Sequence, residues 1–204
     1  MAFARRLRDL LSFREELVPG DFAKGESLES VLDRYLLTVE STAESDTVTS
    51  ILLLDGTTLH HGAGPKLPLA YRNAIDGSQI GPVAGSCGTA AFFGHPIYVS
   101  DIANDPLWAN YSALALDHDF RACWSTPIRN SEDKLLGTFA VYHKRPRSPT
   151  DEELQSIATI TEHVARAIMF YRDAQGDGAP EQQSEIRPPL RLVSDSDAVN
   201  KQDN

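Results

Sequence analysis

Cysteine is scarce in this chain, and its scarcity restricts the chemistry open to it. Among 204 residues there are two cysteines, Cys87 and Cys123. They form neither a CxxC pair nor the spacing of a structural zinc site. A disulfide scaffold is therefore not predicted, and both thiols are expected to be free in a reducing, cytoplasmic compartment.

Long apolar runs and an excess of positive charge are also missing. The longest apolar runs, such as ILLL at 51–54, have the length of a strand, whereas a membrane helix needs roughly 18 apolar residues. Twenty-nine acidic residues against 19 basic ones give a formal net charge of −10. Because neutralising phosphates requires clustered Lys and Arg, the chain is not expected to bind nucleic acid. Because its apolar runs are short, it is not expected to span a membrane.

What is present is an alternation of helical and extended patterns. Apolar residues recur at steps of three and four over 26–40 and 150–172, which predicts two amphipathic helices. Extended, β-rich segments are predicted at 47–63, 96–100, 120–128 and 134–144. The first of these is a hairpin that turns at Asp55-Gly56. Consecutive hairpin strands with helices around them predict an α+β fold built on an antiparallel sheet.

The two ends of the chain differ from its middle. The first 17 residues predict a short amphipathic helix, and beyond residue 173 the composition changes to Gln, Ser, Asp, Pro and Gly without periodicity. We therefore divide the chain into a helical extension (1–23), a folded domain (24–172) and a disordered tail (173–204).

Five separated motifs occur in order within the folded domain. They are GSCGTAA at 85–91, DIANDPLW at 101–108, RACWSTPI at 121–128, LLGTFAVY at 135–142 and PRSPTDEE at 146–153. With these motifs the chain resembles the GAF family, and more narrowly the GAF domains of bacterial sensor kinases and cyclic-di-GMP signalling proteins. The resemblance implies a six-stranded antiparallel sheet with a ligand pocket on one face and the terminal helices on the other. It also implies a regulatory domain that binds a small molecule.

Seven residues are expected to contact that ligand. They are Cys87, Asp101, Trp108, Tyr111, Arg121, Cys123 and Tyr142. A thiol at a helix N-terminus has a lowered pKa, but Cys87 can equally be a small buried residue under the pocket. Trp108 and Tyr111 can close over a ligand or fill a gap in the core, and Arg121 binds an anion only if it faces the pocket. The alternation of strand 120–128 leaves open which set of side chains does so.

An enzymatic reading and a redox reading compete with ligand binding. Free methionine-(R)-sulfoxide reductases are also GAF domains and carry a VCGTA-like segment similar to GSCGTAA, so Cys87 matches one of their cysteines. Their catalytic cysteine precedes the next strand pair, and the corresponding segment here, 101–119, contains none. The chain is therefore not predicted to be an enzyme. A redox sensor using Cys87 and Cys123, and a scaffold whose pocket is filled by its own side chains, remain alternatives.

The predicted mechanism is a linkage between a bound ligand and the packing of the terminal helices. The apolar stripes of these helices exceed what one sheet face needs to cover, which predicts a homodimer. No kinase, cyclase or DNA-binding segment is recognised, so the output is expected to pass to a partner protein or to the second protomer. The ligand and any cofactor are not identified: no cysteine precedes a histidine, as bilin attachment requires, and no histidine is singled out as a haem ligand.

Overall fold

Six strands form one antiparallel sheet in the computed structural model, which describes residues 22, 25–43 and 46–176. The strands are β1 (Val48–Asp55), β2 (Thr58–Ala63), β3 (Ser78–Gln79), β4 (Ile97–Val99), β5 (Ala122–Arg129) and β6 (Leu135–His143). Their order across the sheet is β3-β2-β1-β6-β5-β4. The predicted α+β fold with about six strands is confirmed. Strand β3 has two residues in a glycine-rich stretch and was not predicted, because it carries no strand pattern.

Five α-helices and one 3-10 turn accompany the sheet in the described part of the chain. The helices are α1 (Leu28–Thr42), α2 (Leu69–Ile75), α3 (Gly85–Phe93), α4 (Ser112–Leu116) and α5 (Asp151–Gln175), and the 3-10 turn is Pro106–Trp108. The two long helices begin at polar caps that satisfy their first backbone N–H groups. The Ser27 side chain accepts from Ser30, and Thr150 and Glu153 form a reciprocal capping box.

The alternation along β5 and β6 sends side chains into two separate cores. Trp124, Phe139 and Val141 pack with α1 and α5 on one face. Cys123 and Tyr142 lie in the other core, under α2 and the segments around the 3-10 turn. The pleat of the strands therefore directs Cys123 and Tyr142 away from the terminal helices. This decides which side chains of strand 120–128 face the pocket, a point that the sequence left open.

The apolar stripe of α5 is buried within this chain. Ile157 is 6% exposed, Val164 and Ile168 are fully buried, and all three belong to the core with α1 and the sheet. The described residues therefore do not offer this stripe to a second copy, and the surplus apolar surface from which we predicted a homodimer is used internally. The homodimer stays a prediction without that support.

Two features fix β1 between its neighbours. Gly137 of β6 lies opposite Leu53, and a Cβ atom added to it would overlap the backbone carbonyl oxygen of Leu52. The carboxylate of Glu40 on α1 is fully buried and accepts hydrogen bonds from the backbone N and Oγ1 of Thr49, at 2.8 and 2.9 Å. Lys66 Nζ lies 3.4 Å from the other carboxylate oxygen. A close backbone approach and the hydrogen bonds from Thr49 to a buried carboxylate thus hold β1 in place.

The predicted terminal segments fall largely outside the described residues. Of the helical extension at 1–23 only Phe22 is described, and of the tail at 173–204 only residues 173–176 are. Helix α5 extends to Gln175, past the predicted start of the tail. Within the described residues, no helix has the length and apolarity needed to cross a bilayer.

Candidate functional site

A cavity of about 70 Å³, which we call the small cavity, lies on the sheet face opposite α1 and α5. Leu52 of β1 and Tyr142 of β6 line it from the sheet, and α2, β3, α3 and the chain around Trp108 enclose it. A water molecule in the liquid takes up about 30 Å³, so the space corresponds to only a few waters. The pocket implied by the family resemblance thus has a counterpart on the implied face, but a narrow one.

Aromatic side chains take up most of the space between this face and its cover. The rings of Tyr71, Phe120 and Tyr142 pack against one another with centroids 4.8 to 5.6 Å apart. Trp108 is 5% exposed and closes the cavity from the loop side. The scaffold alternative predicts such filling, and the small cavity is the space that the rings leave.

Helix α3 begins at Gly85, the first residue of the GSCGTAA motif. Gly85 has a φ of +62°, a region that glycine enters without strain, and a Cβ added there would make an ordinary contact with the Trp108 ring at 3.7 Å. The N-cap residue of this helix is Ala84, which makes no side-chain cap.

Ser86 connects the cover of the small cavity to the sheet. Its Oγ donates a hydrogen bond to the carbonyl oxygen of Cys123 at 3.0 Å and accepts one from Trp108 Nε1 at 3.0 Å. Both partners are buried, so these bonds are shielded from water. The Trp108 indole is thereby held in a single position.

The two cysteines lie next to each other, with opposite shifts in acidity. Hydrogen bonding to the Cys123 thiol, helped by the hydroxyl groups of Ser125, Thr138 and Tyr142, lowers the pKa of Cys87 to about 7. Burial raises the pKa of Cys123 well above its ordinary value. The Ser125 and Thr138 hydroxyls make no other hydrogen bond among the described residues and are therefore available to a Cys87 thiolate. Near neutral pH, Cys87 is an activated thiol beside a protonated one.

Asp101 and Arg121 lie away from the small cavity. Arg121 Nη2 is 3.4 Å from Asp101 Oδ1, and the Arg121 side chain is 40% exposed. A hydrogen bond from Asn104, with further ones from Ala103 and Arg121, lowers the pKa of Asp101. The pair stabilises a surface loop, and neither residue lines the cavity.

The structure thus brings some of the expected ligand contacts together and separates others. Those that line the small cavity are Cys87, Trp108, Tyr111 and Tyr142. Cys123 contacts Cys87 from the sheet. Ser78 and Gln79, which also line the cavity, were missed because they lie on the unpredicted strand β3. Among the described residues, no three His, Cys, Asp or Glu side chains converge as a metal site.

Sequence comparison identifies the family. The model of the GAF domain matches residues 25–169. A curated relative, the methyl sulfide methyltransferase-associated sensor of Methanosarcina acetivorans, is 31% identical over 183 residues, which cover 89% of this chain and 18% of that protein. The chain therefore spans less than a fifth of the length of this relative.

Two solved structures share the fold at low identity. The GAF domain of a phosphoenolpyruvate-protein phosphotransferase from Coxiella burnetii has a TM-score of 0.64 at 18% identity, over 85% of this chain and 98% of that one. Free methionine-R-sulfoxide reductase from Neisseria meningitidis, solved with its substrate, has a TM-score of 0.63 at 15% identity, over 84% and 93%.

The reductase among these neighbours overturns the expectation that this chain is not an enzyme. That expectation was wrong because it rested on the lack of a cysteine in 101–119, whereas the same fold carries catalysis in the reductases. The structure also places a second thiol, Cys123, beside Cys87 from another strand. At 15% identity the likeness shows the fold alone, and the fold leaves catalysis open. The match over residues 25–169 shows that the chain belongs to the GAF domain family.

Proposed function

We propose that this GAF domain is a sensory module that binds a compact polar molecule in the small cavity and signals occupancy to a partner protein through α1 and α5. The observation that carries the proposal is the small cavity itself, which Trp108 closes and which Cys87 and Tyr142 line with polar atoms. The sensor relative and the family support the same class of function.

The sheet supplies the coupling between the small cavity and the helices. Along β1, Leu52 faces the cavity and its neighbour Ile51 packs in the core with α1 and α5. Along β6, Tyr142 and Val141 are divided in the same way. A ligand that displaces either strand therefore acts on the terminal helices through adjacent residues. The equilibrium between two packing arrangements of these helices shifts by an amount set by the difference in the ligand's affinity for each arrangement.

Native mass spectrometry of the purified chain tests whether a guest occupies the small cavity. We expect the wild-type protein to carry a small non-covalent adduct, and Ala84→Phe to lose it because Ala84 is half-buried and lines the cavity. Val83→Phe adds the same ring at the neighbouring exposed position outside the cavity and should keep the adduct. A wild-type protein without added mass, or an adduct that survives Ala84→Phe, would contradict the proposal.

A second candidate function is thiol-based redox sensing, favoured by the contact between an activated Cys87 and a protonated Cys123. In this reaction the Cys87 thiolate attacks one oxygen of a hydroperoxide, the O–O bond breaks, and the alcohol or water leaves after taking up a proton. Cys87 is then a sulfenic acid. The Cys123 sulfur displaces its hydroxyl, which leaves as water with the Cys123 proton, and a disulfide forms. Two electrons pass from the two thiols to the peroxide.

Alkylation with a neutral iodoacetamide tests the redox function. Cys87 labelling is expected to rise with pH through a midpoint near 7, because the thiolate is the reactive form and is lost as the pH falls. Cys123→Ser should move this midpoint upward, since Cys123 is the main cause of the lowered pKa. One equivalent of hydrogen peroxide should block both thiols, and dithiothreitol should restore them.

Three further results decide between the redox alternatives. Labelling of Cys87 that stays flat below pH 8, or peroxide that leaves both thiols open, would exclude the redox sensor. If free methionine-R-sulfoxide, but not hydrogen peroxide, blocked both thiols, and if the protein reduced this sulfoxide repeatedly in the presence of dithiothreitol, the protein would be a reductase. If both Cys87→Ser and Cys123→Ser still consumed peroxide or methionine sulfoxide at the wild-type rate, thiol chemistry of either kind would be excluded.

A further inference from the structure

A second and larger cavity lies on the opposite face of the sheet, between the two terminal helices. We call it the helix-face cavity. Its volume is about 380 Å³, more than five times that of the small cavity. The C-terminal end of α1, the first turns of α5 and strands β5 and β6 enclose it. Pockets that hold small molecules in proteins typically measure about 300 to 1,000 Å³, so this cavity has the size of a ligand site.

Its walls are mainly apolar, and Trp124 and Phe139 lie at its base, almost fully covered by their neighbours. The apolar lining residues are Val39, Ala43, Trp124, Phe139, Val141, Ile157 and Ile160. Trp124 is fixed from two sides, by the His143 ring at a centroid distance of 4.4 Å and by the Arg147 guanidinium 5.0 Å from the indole centroid. The base of the cavity is therefore already ordered, which limits the conformational freedom lost when a molecule binds.

One buried polar group lines this cavity without a partner. Thr47 is 3% exposed, and its Oγ1 makes no hydrogen bond with any described residue. A buried hydroxyl without a hydrogen bond costs free energy, which a guest that supplies one recovers. The ligand is therefore expected to carry a single hydrogen-bonding group.

The fixed charges of the lining restrict the charge of the guest. Arg147 Nη2 lies 2.8 Å from both carboxylate oxygens of Glu153, so its charge is already balanced. Among the described residues that line the cavity, Arg147 is the only lysine or arginine. An anionic molecule would therefore find no unpaired Lys or Arg side chain there, and burying a charge without a partner is costly.

We propose that the helix-face cavity is a second ligand site, which takes a neutral, ring-sized apolar molecule with one hydrogen-bonding group. The site is separate from the small cavity and shares no lining residue with it. Because Val39 belongs to α1 and Ile157 to α5, a molecule in it contacts both terminal helices directly. Its occupancy therefore acts on helix packing without passing through the sheet.

The chain offers a specific reporter, since it has two tryptophans and one lines each cavity. In Trp108→Phe, Trp124 is the only tryptophan left. We expect the neutral dye N-phenyl-1-naphthylamine to give saturable energy transfer from Trp124 in this full-length variant. Its sulfonated analogue, 8-anilinonaphthalene-1-sulfonate, should bind at least about tenfold more weakly because of its negative charge.

A matched pair of substitutions on α5 locates the dye. In the Trp108→Phe background, Ser156→Phe fills the cavity and should weaken binding about tenfold or more, whereas Ala158→Phe, on the exposed side of the same helix, should leave it unchanged. Circular dichroism checks that both variants fold. If Ser156→Phe does not fold, Thr42→Leu fills the cavity from its α1 wall instead and repeats the test. The proposal would be overturned if energy transfer from Trp124 did not saturate, or if the two α5 variants bound the dye equally well. It would also be overturned if the neutral and the sulfonated dye bound with equal affinity.

Discussion

Gly137→Ala is expected to destabilise the domain by about 4 kcal/mol, and to lower its melting temperature by about 10 °C. The added Cβ would overlap the carbonyl oxygen of Leu52 and lie 3.1 Å from the Cα of Leu53. Both are backbone atoms of a central strand, so no side-chain rotation relieves the overlap. The two strands must separate, and the hydrogen bonds between β1 and β6 weaken with them.

Thermal unfolding followed by circular dichroism measures this effect. Gly81→Ala is the matched control, because a Cβ there would meet only the side chain of Ala84 at an ordinary contact distance of 3.7 Å. That variant should lie within about 0.5 kcal/mol of the wild type. Equal stability of the two variants would show that the strands at Gly137 have more room than the structure gives them.

Glu40→Ala is expected to cost about 3 kcal/mol of folding free energy. The substitution leaves the backbone N–H and the hydroxyl of Thr49 buried without their acceptor, and Lys66 without its counter-ion. Glu40→Gln keeps one acceptor oxygen and should therefore cost less than Glu40→Ala. This order distinguishes a lost hydrogen-bond acceptor from a lost charge.

Urea unfolding of the variants gives these free energies directly. Glu132→Ala removes a carboxylate from an exposed turn and should change the stability by less than about 0.5 kcal/mol. If Glu40→Ala proved as stable as Glu132→Ala, the contact between α1 and β1 would not depend on the buried carboxylate. If the two Glu40 variants were equally destabilised, the charge would matter more than the hydrogen bonds, because both substitutions remove the charge and only Glu40→Gln keeps an acceptor oxygen.

Local patterns in the sequence were sufficient for much of the fold. The start of α5 follows from Thr150 and Glu153, whose reciprocal hydrogen bonds need only residues three apart. The division of β5 into a Cys123 side and a Trp124 side follows from the pleat of any strand. What the pattern could not decide was which side faces the helices, because that depends on the packing of distant segments.

The geometry of the candidate site depended on tertiary structure to a greater degree. The width of the small cavity is determined by how Tyr71, Phe120 and Tyr142 pack together, and these rings come from three separate parts of the chain. Asp101 and Arg121 form an ion pair across 20 positions, which no local spacing indicates. The helix-face cavity arises where two helices and the sheet meet imperfectly, and such gaps have no sequence signature.

The bridge made by Ser86 has a consequence for how the two proposed activities relate. A molecule that enters by swinging the Trp108 indole outward must break the bond from Nε1 to Ser86. The same hydroxyl holds the backbone carbonyl of Cys123, the residue whose thiol contacts Cys87, so opening the small cavity disturbs a group that also positions the cysteine pair. An oxidised and a reduced form of this protein should accordingly differ in how readily they open to solvent.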